Sequence, residues 1–212
     1  MCFYLSISKD AQTLKNRFRA EFPDEDLFVP QEVFNAFTHP LLPVVTQDEP
    51  QTIRLFRWGM IPSWVNDVDF AKRMRRSTLN ARSETAGERP SFRNSLRFRR
   101  CIVPADAFYE WQHAGRNKIQ YRIHCDHDIM GLAGIWDRWV NPVTREQWTG
   151  FSILTTAANP LLEVIHNSRK RMPVILPPDK EKAWLSRERK SGPGLQPFLK
   201  AYDENRMYAE KT

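Results

Sequence analysis

Cys2 has the clearest chemical potential in this sequence, because it directly follows the initiator methionine. Cysteine has a small side chain, so we expect Met1 to be removed, which leaves an amine and a thiol on adjacent carbons. An α-amino group has a pKa of about 8, against about 10.4 for lysine, so roughly a tenth of it is nucleophilic at pH 7. It can form a Schiff base with an aldehyde, and the thiolate can close on the imine carbon as a durable thiazolidine. The alternative is a small apolar residue opening a strand.

Two further side chains are candidates for proton transfer. His166 precedes Arg169, Lys170 and Arg171, cations that favour the neutral imidazole. Glu110 is flanked by aromatic residues in AFYEWQ, so desolvation is expected to raise its pKa, as suits a general acid. The alternatives are a helix-terminal histidine with one backbone bond and a surface carboxylate.

The basic residues are concentrated in one segment, residues 72–100. The whole chain has a net charge of +7, whereas this segment alone carries +8 and the remaining residues sum to −1. Nine of its ten basic residues are arginine, which pairs bidentately with phosphate. The ten are Lys72, Arg73, Arg75, Arg76, Arg82, Arg89, Arg93, Arg97, Arg99 and Arg100. The segment predicts a polyanion site, with a solvated helix surface as the alternative.

Polar and aromatic residues in or beside this basic segment complete the predicted site. Asn80 could orient a reactive group or, alternatively, cap a helix. Trp58 and Trp64, in RWGMIPSW, are candidates for base stacking or, alternatively, for the core. The arginines expected to contact phosphate are Arg73, Arg76, Arg82 and Arg93.

Neither a metal nor a cofactor is expected. The segment His124-Cys125-Asp126-His127 alternates between two strand faces, and the sequence has no second Cys or His pair at zinc spacing. It also has no Gly-rich phosphate loop.

Length and composition predict one domain in a reducing compartment. The chain has 212 residues, of which 41% are hydrophobic, so global disorder is excluded. Neither a secretory signal nor an apolar run of about 18 residues is present, so we expect a cytosolic protein without membrane contact. The three cysteines do not make a disulfide framework.

The hydrophobic pattern indicates many short strands and scattered helices. A helix capped by Asp10 carries Leu14 and Phe18, and a loop follows the strand at 52–58. The other predicted strands are 2–8, 33–37, 42–45, 101–103, 107–112, 120–125, 130–140, 150–156 and 174–176. The other predicted helices are 80–87, 90–99, 160–165, 180–186 and 196–202, with a loop at 191–194 and a mobile tail at 203–212. The fold class is α+β, a single domain with a mostly antiparallel sheet or distorted barrel flanked by short helices.

An ordered set of segments resembles the SRAP family (SOS response-associated peptidase), whose members are abasic-site sensors and crosslinkers. The matching segments are Met1-Cys2, RWGMIPSW, NARSET, PSFR, RRCIVPADAFYEW, LAGIWDRW, FSILTTAAN, IH and RMPVIL. They span nearly the whole chain, so residues 1–202 are assigned to the SRAP domain. The family usually continues Met-Cys-Gly-Arg, whereas this chain has Phe3 and Tyr4.

The resemblance implies both a fold and a chemistry. A distorted barrel would carry a basic groove for single-stranded DNA, and Cys2 would attack the ring-opened aldehyde of an abasic site. Glu110 matches the family's catalytic glutamate and His166 its catalytic histidine. Asn80 matches the asparagine that positions the cysteine and the sugar, and Arg82 the arginine that contacts phosphate.

These residues predict a monomeric cytosolic protein, associated with the nucleoid on damage, that captures abasic sites in single-stranded DNA as a thiazolidine crosslink. Its enzymology would be lyase-like Schiff-base chemistry with an autopeptidase activity. The residues also fit two alternatives. One is an N-terminal-cysteine peptidase that cleaves peptides without DNA. The other is a non-covalent reader of single-stranded or modified DNA.

Overall fold

A computed structural model describes residues 2–187 and 192–212 of the chain. The strands of the described residues are β1 (Tyr4–Ile7), β2 (Gln31–Asn35), β3 (Leu41–Thr46), β4 (Ile53–Trp58), β5 (Asn80–Arg82), β6 (Arg100–Ala105), β7 (Ala107–Ala114), β8 (Asn117–Cys125), β9 (Met130–Val140), β10 (Gln147–Ala157), β11 (Arg171–Pro173), β12 (Ile175–Leu176) and β13 (Met207–Lys211). The helices are α1 (Ala11–Phe18), α2 (Val68–Ser77), α3 (Arg93–Phe98), α4 (Pro160–Ile165) and α5 (Pro178–Trp184). None of these helices combines the length and apolar character needed to cross a membrane.

A closed barrel forms the centre of the fold. Strands β10, β4, β3, β6 and β9 pair in that order, and β9 pairs back with β10 to close the ring. All of these pairings are antiparallel except β10 with β4. Beyond the end of β4, the same edge of β10 pairs in parallel with β5. The prediction of a single α+β domain with a mostly antiparallel barrel is therefore confirmed.

A second sheet positions the start of the chain against the barrel. Its strand order is β13-β8-β7-β1-β2, with antiparallel pairing throughout. Only Asp106 separates barrel strand β6 from β7. Its buried carboxylate accepts hydrogen bonds from Ser6 Oγ (2.7 Å) and Ser8 N (2.7 Å), which hold β1 beside β7. The N-terminal strand is thereby anchored over the barrel.

Two predicted local structures in and before the basic segment are wrong. The expected loop after β4 contains α2, which Asp67 caps by accepting a hydrogen bond from Phe70 N (2.6 Å). The expected helix at 80–87 instead begins as β5, whose residues pair with Ile153–Thr155 of β10. The open edge of β10 supplies backbone partners there, and this tertiary pairing overrides the local preference.

The predicted mobile tail at 203–212 is also wrong. Glu204–Arg206 form a turn of 3-10 helix, and β13 then pairs along β8 from Met207 to Lys211. Met207 is buried, so this strand contributes to the core. Ser191 of the predicted loop lies outside the described residues, and Gly192–Phe198 form a 3-10 helix.

Candidate active site and nucleic-acid interface

Cys2 lies fully buried two residues before the start of β1. Burial raises the pKa of its thiol well above the usual value, and the nearby charge of Glu110 acts in the same direction. The side chain of Asn80, at the start of β5, donates a hydrogen bond from Nδ2 to the Cys2 carbonyl oxygen (2.8 Å). Two sequence-predicted residues are therefore in direct contact, although 78 positions separate them. Met1 lies outside the described residues.

Glu110 and His166 meet beside Cys2. The distance from His166 Nδ1 to Glu110 Oε1 is 3.4 Å, and both side chains are buried. Burial raises the pKa of Glu110 to about 7, as the sequence predicted, and lowers that of His166 to about 4. Both shifts favour the neutral form, so near pH 6 the pair is a carboxylic acid beside a neutral imidazole and not an ion pair.

The end of α4 fixes the tautomer of His166. Asn159 caps the start of this helix, and His166 is the residue at its C-terminal end, as predicted. Its Nδ1 lies 2.8 Å from the carbonyl oxygen of Arg171, which can only accept a hydrogen bond. Nδ1 therefore carries the proton, and Nε2 is left with its lone pair. The low pKa of His166 comes chiefly from burial, whereas the sequence attributed it to the neighbouring cations.

Arg171 links the segments that surround His166. Its guanidinium forms a bidentate pair with Glu84 (2.6 and 2.8 Å) and also donates to the carbonyl oxygen of Thr155 (2.6 Å). The segment after β5 is thus tied to β10 and β11, next to the carbonyl that orients His166.

A pocket of about 410 Å³ opens at Glu110 and His166. Its other lining residues are Phe3, Tyr4, Trp111, His113, Lys118, Ser168 and Arg169. The rings of Tyr4 and Trp111 meet edge to face, with centroids 4.9 Å apart. Sequence reasoning missed most of this lining. The sequence signal for part of this lining is the pair Phe3 and Tyr4, which replaces the Gly-Arg usual in the family.

A second pocket of about 390 Å³ opens at Asn80 and Arg82. Met74, Ser77 and Thr78 from the end of α2 line one side, and Arg89 and Phe92 line the other. Cys2 contacts Asn80 of this pocket and interacts with Glu110 of the first. The buried cysteine therefore lies between two openings to solvent.

The two predicted stacking residues differ in exposure. Trp64 is 49% exposed and lies near Phe70, and Arg73 lies over the Phe70 ring at 5.6 Å. Trp58, by contrast, is fully buried, and its indole N–H donates to the carbonyl oxygen of Leu79 (2.9 Å). The prediction that Trp58 stacks on bases is wrong, because β4 turns this ring into the core.

Most of the basic segment is on the surface. Arg73, Arg76, Arg82 and Arg93 are exposed. Arg99 pairs with Asp137 (3.0 Å), and Arg100 is fully buried. These last two arginines stabilise the fold, so they do not contribute to the polyanion site that the segment predicts.

Fold and site together define a class, barrel proteins with a buried cysteine at the second position beside a glutamate and a histidine. The family model described as "SOS response associated peptidase (SRAP)" matches residues 1–211. The chain belongs to the SRAP family.

Two relatives and a solved structure each match most of the length of this chain. The chain is 36% identical over 191 residues to the abasic site processing protein YoqW of Bacillus subtilis, covering 87% of this chain and 82% of that protein. It is 33% identical over 155 residues to the abasic site processing protein HMCES of Xenopus tropicalis, covering 64% and 45%. A crystal structure of a Bacteroides thetaiotaomicron protein superposes with a TM-score of 0.95 at 38% identity, covering 99% of this chain and 91% of that one.

Proposed function

We propose that this protein processes abasic sites in single-stranded DNA by forming a thiazolidine crosslink through Cys2. The observation that carries the proposal is the convergence of Cys2, Asn80, Glu110 and His166, which come from four distant parts of the sequence. The names of the relatives support the substrate, since several are abasic site processing proteins.

The first step opens the sugar ring of the lesion. A carboxylic acid can donate a proton to the ring oxygen while a base removes the proton of the C1′ hydroxyl, which yields the free aldehyde. Glu110 suits the acid role because its pKa of about 7 keeps it mostly protonated at mildly acidic pH and about half protonated at pH 7. His166 suits the base role because its neutral Nε2 can accept a proton. The rate of this ring-opening step is expected to fall above pH 7 as Glu110 ionises.

The next two steps use the α-amine and the thiol of Cys2 after Met1 has been removed. The amine adds to the aldehyde carbon, and the carbinolamine loses water to form an imine. The sulfur then bonds to the imine carbon, and the thiol proton moves to the imine nitrogen, which gives a neutral five-membered ring. Asn80 holds the Cys2 carbonyl oxygen and so orients both nucleophiles. Ring closure competes with β-elimination from the imine and thereby protects the strand from cleavage.

The exposed arginines support a DNA strand as the partner. Arg82 lines the pocket beside Asn80, and Arg73, Arg76 and Arg93 are exposed within the same basic segment. Trp64 offers an exposed ring on which a base can stack.

A denaturing gel of protein mixed with single-stranded DNA bearing one abasic site tests the proposal. The wild-type protein, with Met1 removal verified by mass spectrometry, should give a heat-stable shifted band that is absent in Cys2→Ser. Cys101→Ser is the matched control, because this other buried thiol lies in the barrel. Absence of the band from verified wild type would contradict the proposal. Cleavage of peptides without DNA would favour the peptidase alternative.

A further inference from the structure

A third pocket lies on a different face of α2 from the Asn80 pocket. Val68, Lys72 and Arg75, at helical spacing, line it, whereas Met74, Ser77 and Thr78 of the same helix line the Asn80 pocket. The volume of the third pocket is about 490 Å³, within the ~300–1,000 Å³ typical of small-ligand sites. No residue of the Cys2, Glu110 and His166 site lines it.

Two arginines and one tryptophan form a rigid cationic wall in this pocket. The guanidinium carbons of Arg57 and Arg75 lie 5.0 and 4.9 Å from the Trp148 ring centroid. The Trp148 indole N–H donates to the carbonyl oxygen of Gly59 (2.9 Å), which fixes the ring. Stacking on an aromatic face orders a guanidinium and leaves its edge free to donate hydrogen bonds.

Among the described residues, neither Arg57 nor Arg75 forms an ion pair with a carboxylate. Burial lowers the pKa of Arg75, and so do the nearby charges of Arg76 and Arg57. Within the part of the chain that the structure describes, the buried Nε of Arg75 has no hydrogen-bond partner. Lys72 pairs with Asp69 (2.9 Å), and the one carboxylate in the lining, Glu146, accepts from Thr144 Oγ1 (3.0 Å). An anion here would relieve like-charge repulsion and satisfy a buried donor.

The remaining lining defines the shape of the ligand. Ile61, Val68, Ala71 and Trp139 give the pocket an apolar floor beside the arginines. A compact inorganic ion would leave this floor unused, whereas a nucleotide has both a phosphate and a sugar or base to cover it.

We propose that this pocket binds a nucleotide, with its phosphate on Arg57 and Arg75 and its sugar or base on the apolar floor. The source of the phosphate is either a DNA strand that continues across α2 or a free nucleotide. The proposal deepens the proposed function, since it adds a second point of contact for nucleic acid. It requires neither the lesion nor the Cys2 chemistry.

Fluorescence anisotropy with a lesion-free oligothymidylate and isothermal titration with thymidine monophosphate test the two sources. Arg75→Gln and Arg57→Gln should each weaken binding about tenfold, because each removes a charge-assisted hydrogen bond. Arg75→Lys keeps the charge but loses the planar fork of the guanidinium. On a logarithmic scale, its affinity should therefore lie closer to that of Arg75→Gln than to that of the wild type. Arg54→Gln is the control for net charge. Arg54 lies in β4, the strand that also carries Arg57, and its side chain pairs with Glu49 (3.0 Å).

Weaker binding of the oligonucleotide alone assigns the pocket to a DNA strand, and weaker binding of the monophosphate assigns it to a free nucleotide. Equal affinities of Arg75→Gln, Arg57→Gln and Arg54→Gln for both probes would overturn the proposal. Circular dichroism verifies that each variant is folded. Because the probes carry no abasic site, failure of the crosslinking assay would leave this result unaffected.

Discussion

At the scale of single residues, Glu110 and His166 have opposite effects on the pH dependence of stability. The pKa of Glu110 rises on folding from 4.5 to about 7, so its contribution to stability is lost as the pH rises through this range. The pKa of His166 falls from 6.5 to about 4, so its contribution is lost as the pH falls through that range. Between about pH 4.5 and 6.5 the two effects therefore oppose each other.

This opposition predicts distinct profiles for two variants. Between pH 5 and 6.5, the free energy of unfolding should rise more steeply with pH in Glu110→Gln than in wild type. In His166→Asn it should rise less steeply or fall. Urea denaturation at several pH values measures both, with the exposed Glu163→Gln as control. Parallel profiles for all four proteins would contradict the assigned shifts.

Asn80 offers a second test at this scale. Asn80→Asp keeps the shape of the side chain but replaces the Nδ2 donor by an oxygen that repels the Cys2 carbonyl oxygen. We expect the crosslinking rate to fall at least tenfold, which corresponds to about 1.4 kcal/mol. Quenched-gel kinetics at saturating DNA measures the rate. Asn16→Asp, on the exposed side of α1, introduces the same charge and should react like wild type.

At the scale of elements, Arg100 joins the ends of two helices. Its guanidinium donates to the carbonyl oxygens of Leu96 (3.2 Å) and Arg97 (3.0 Å) in α3 and of Trp184 (2.8 Å) at the end of α5. A helix leaves its last carbonyls without partners, and this one buried fork satisfies three of them. Burial lowers the pKa of Arg100 to about 10, which still leaves it charged at neutral pH.

Arg100→Met should therefore destabilise the protein by about 3 kcal/mol or more, because it leaves several buried carbonyl groups unsatisfied. The exposed Arg97→Gln in the same basic segment should change stability by no more than about 0.5 kcal/mol. Guanidinium chloride denaturation compares the two. Similar losses would contradict the structural role of Arg100.

Some helices and strands could be predicted from the sequence, and others could not. Helix α4 and the β9 strand were predicted with their observed bounds, because their periodicity and caps are local signals. β5 and β13 were missed, because each is short and polar and becomes a strand only where β10 or β8 offers an open edge. Within the site, residue types predicted the nucleophile Cys2 and the raised pKa of Glu110 separately, and the resemblance to the SRAP family placed them in one site. Trp58 and Arg100 were misjudged, since only packing reveals which aromatic and cationic side chains turn inward.

At the scale of the whole molecule, the surplus of positive charge predicts salt-sensitive DNA binding. Removing one arginine that binds a phosphate of single-stranded DNA should reduce the slope of log affinity against log salt by ~0.7. Arg82→Gln and Arg93→Gln should each reduce it by this amount, and the double variant by about twice as much. Anisotropy titrations between low and physiological salt measure the slopes. Unchanged slopes, equal to that of Arg54→Gln, would place the strand elsewhere.

The burial of Cys2 has a consequence for the timing of protein synthesis. Strand β1 pairs with Phe108 of β7, so the N-terminus cannot be covered in this way until more than a hundred residues have been made. At about 5–20 residues per second, the nascent chain exposes its first residues for at least roughly 5–20 s. An aminopeptidase can trim Met1 freely within that interval, whereas the Cys2 side chain is fully buried once the protein has folded. In protein that keeps Met1, the Cys2 nitrogen is part of a peptide bond and cannot form the imine. Expression that outpaces the aminopeptidase should therefore yield folded protein that forms no thiazolidine and carries the extra mass of one methionine.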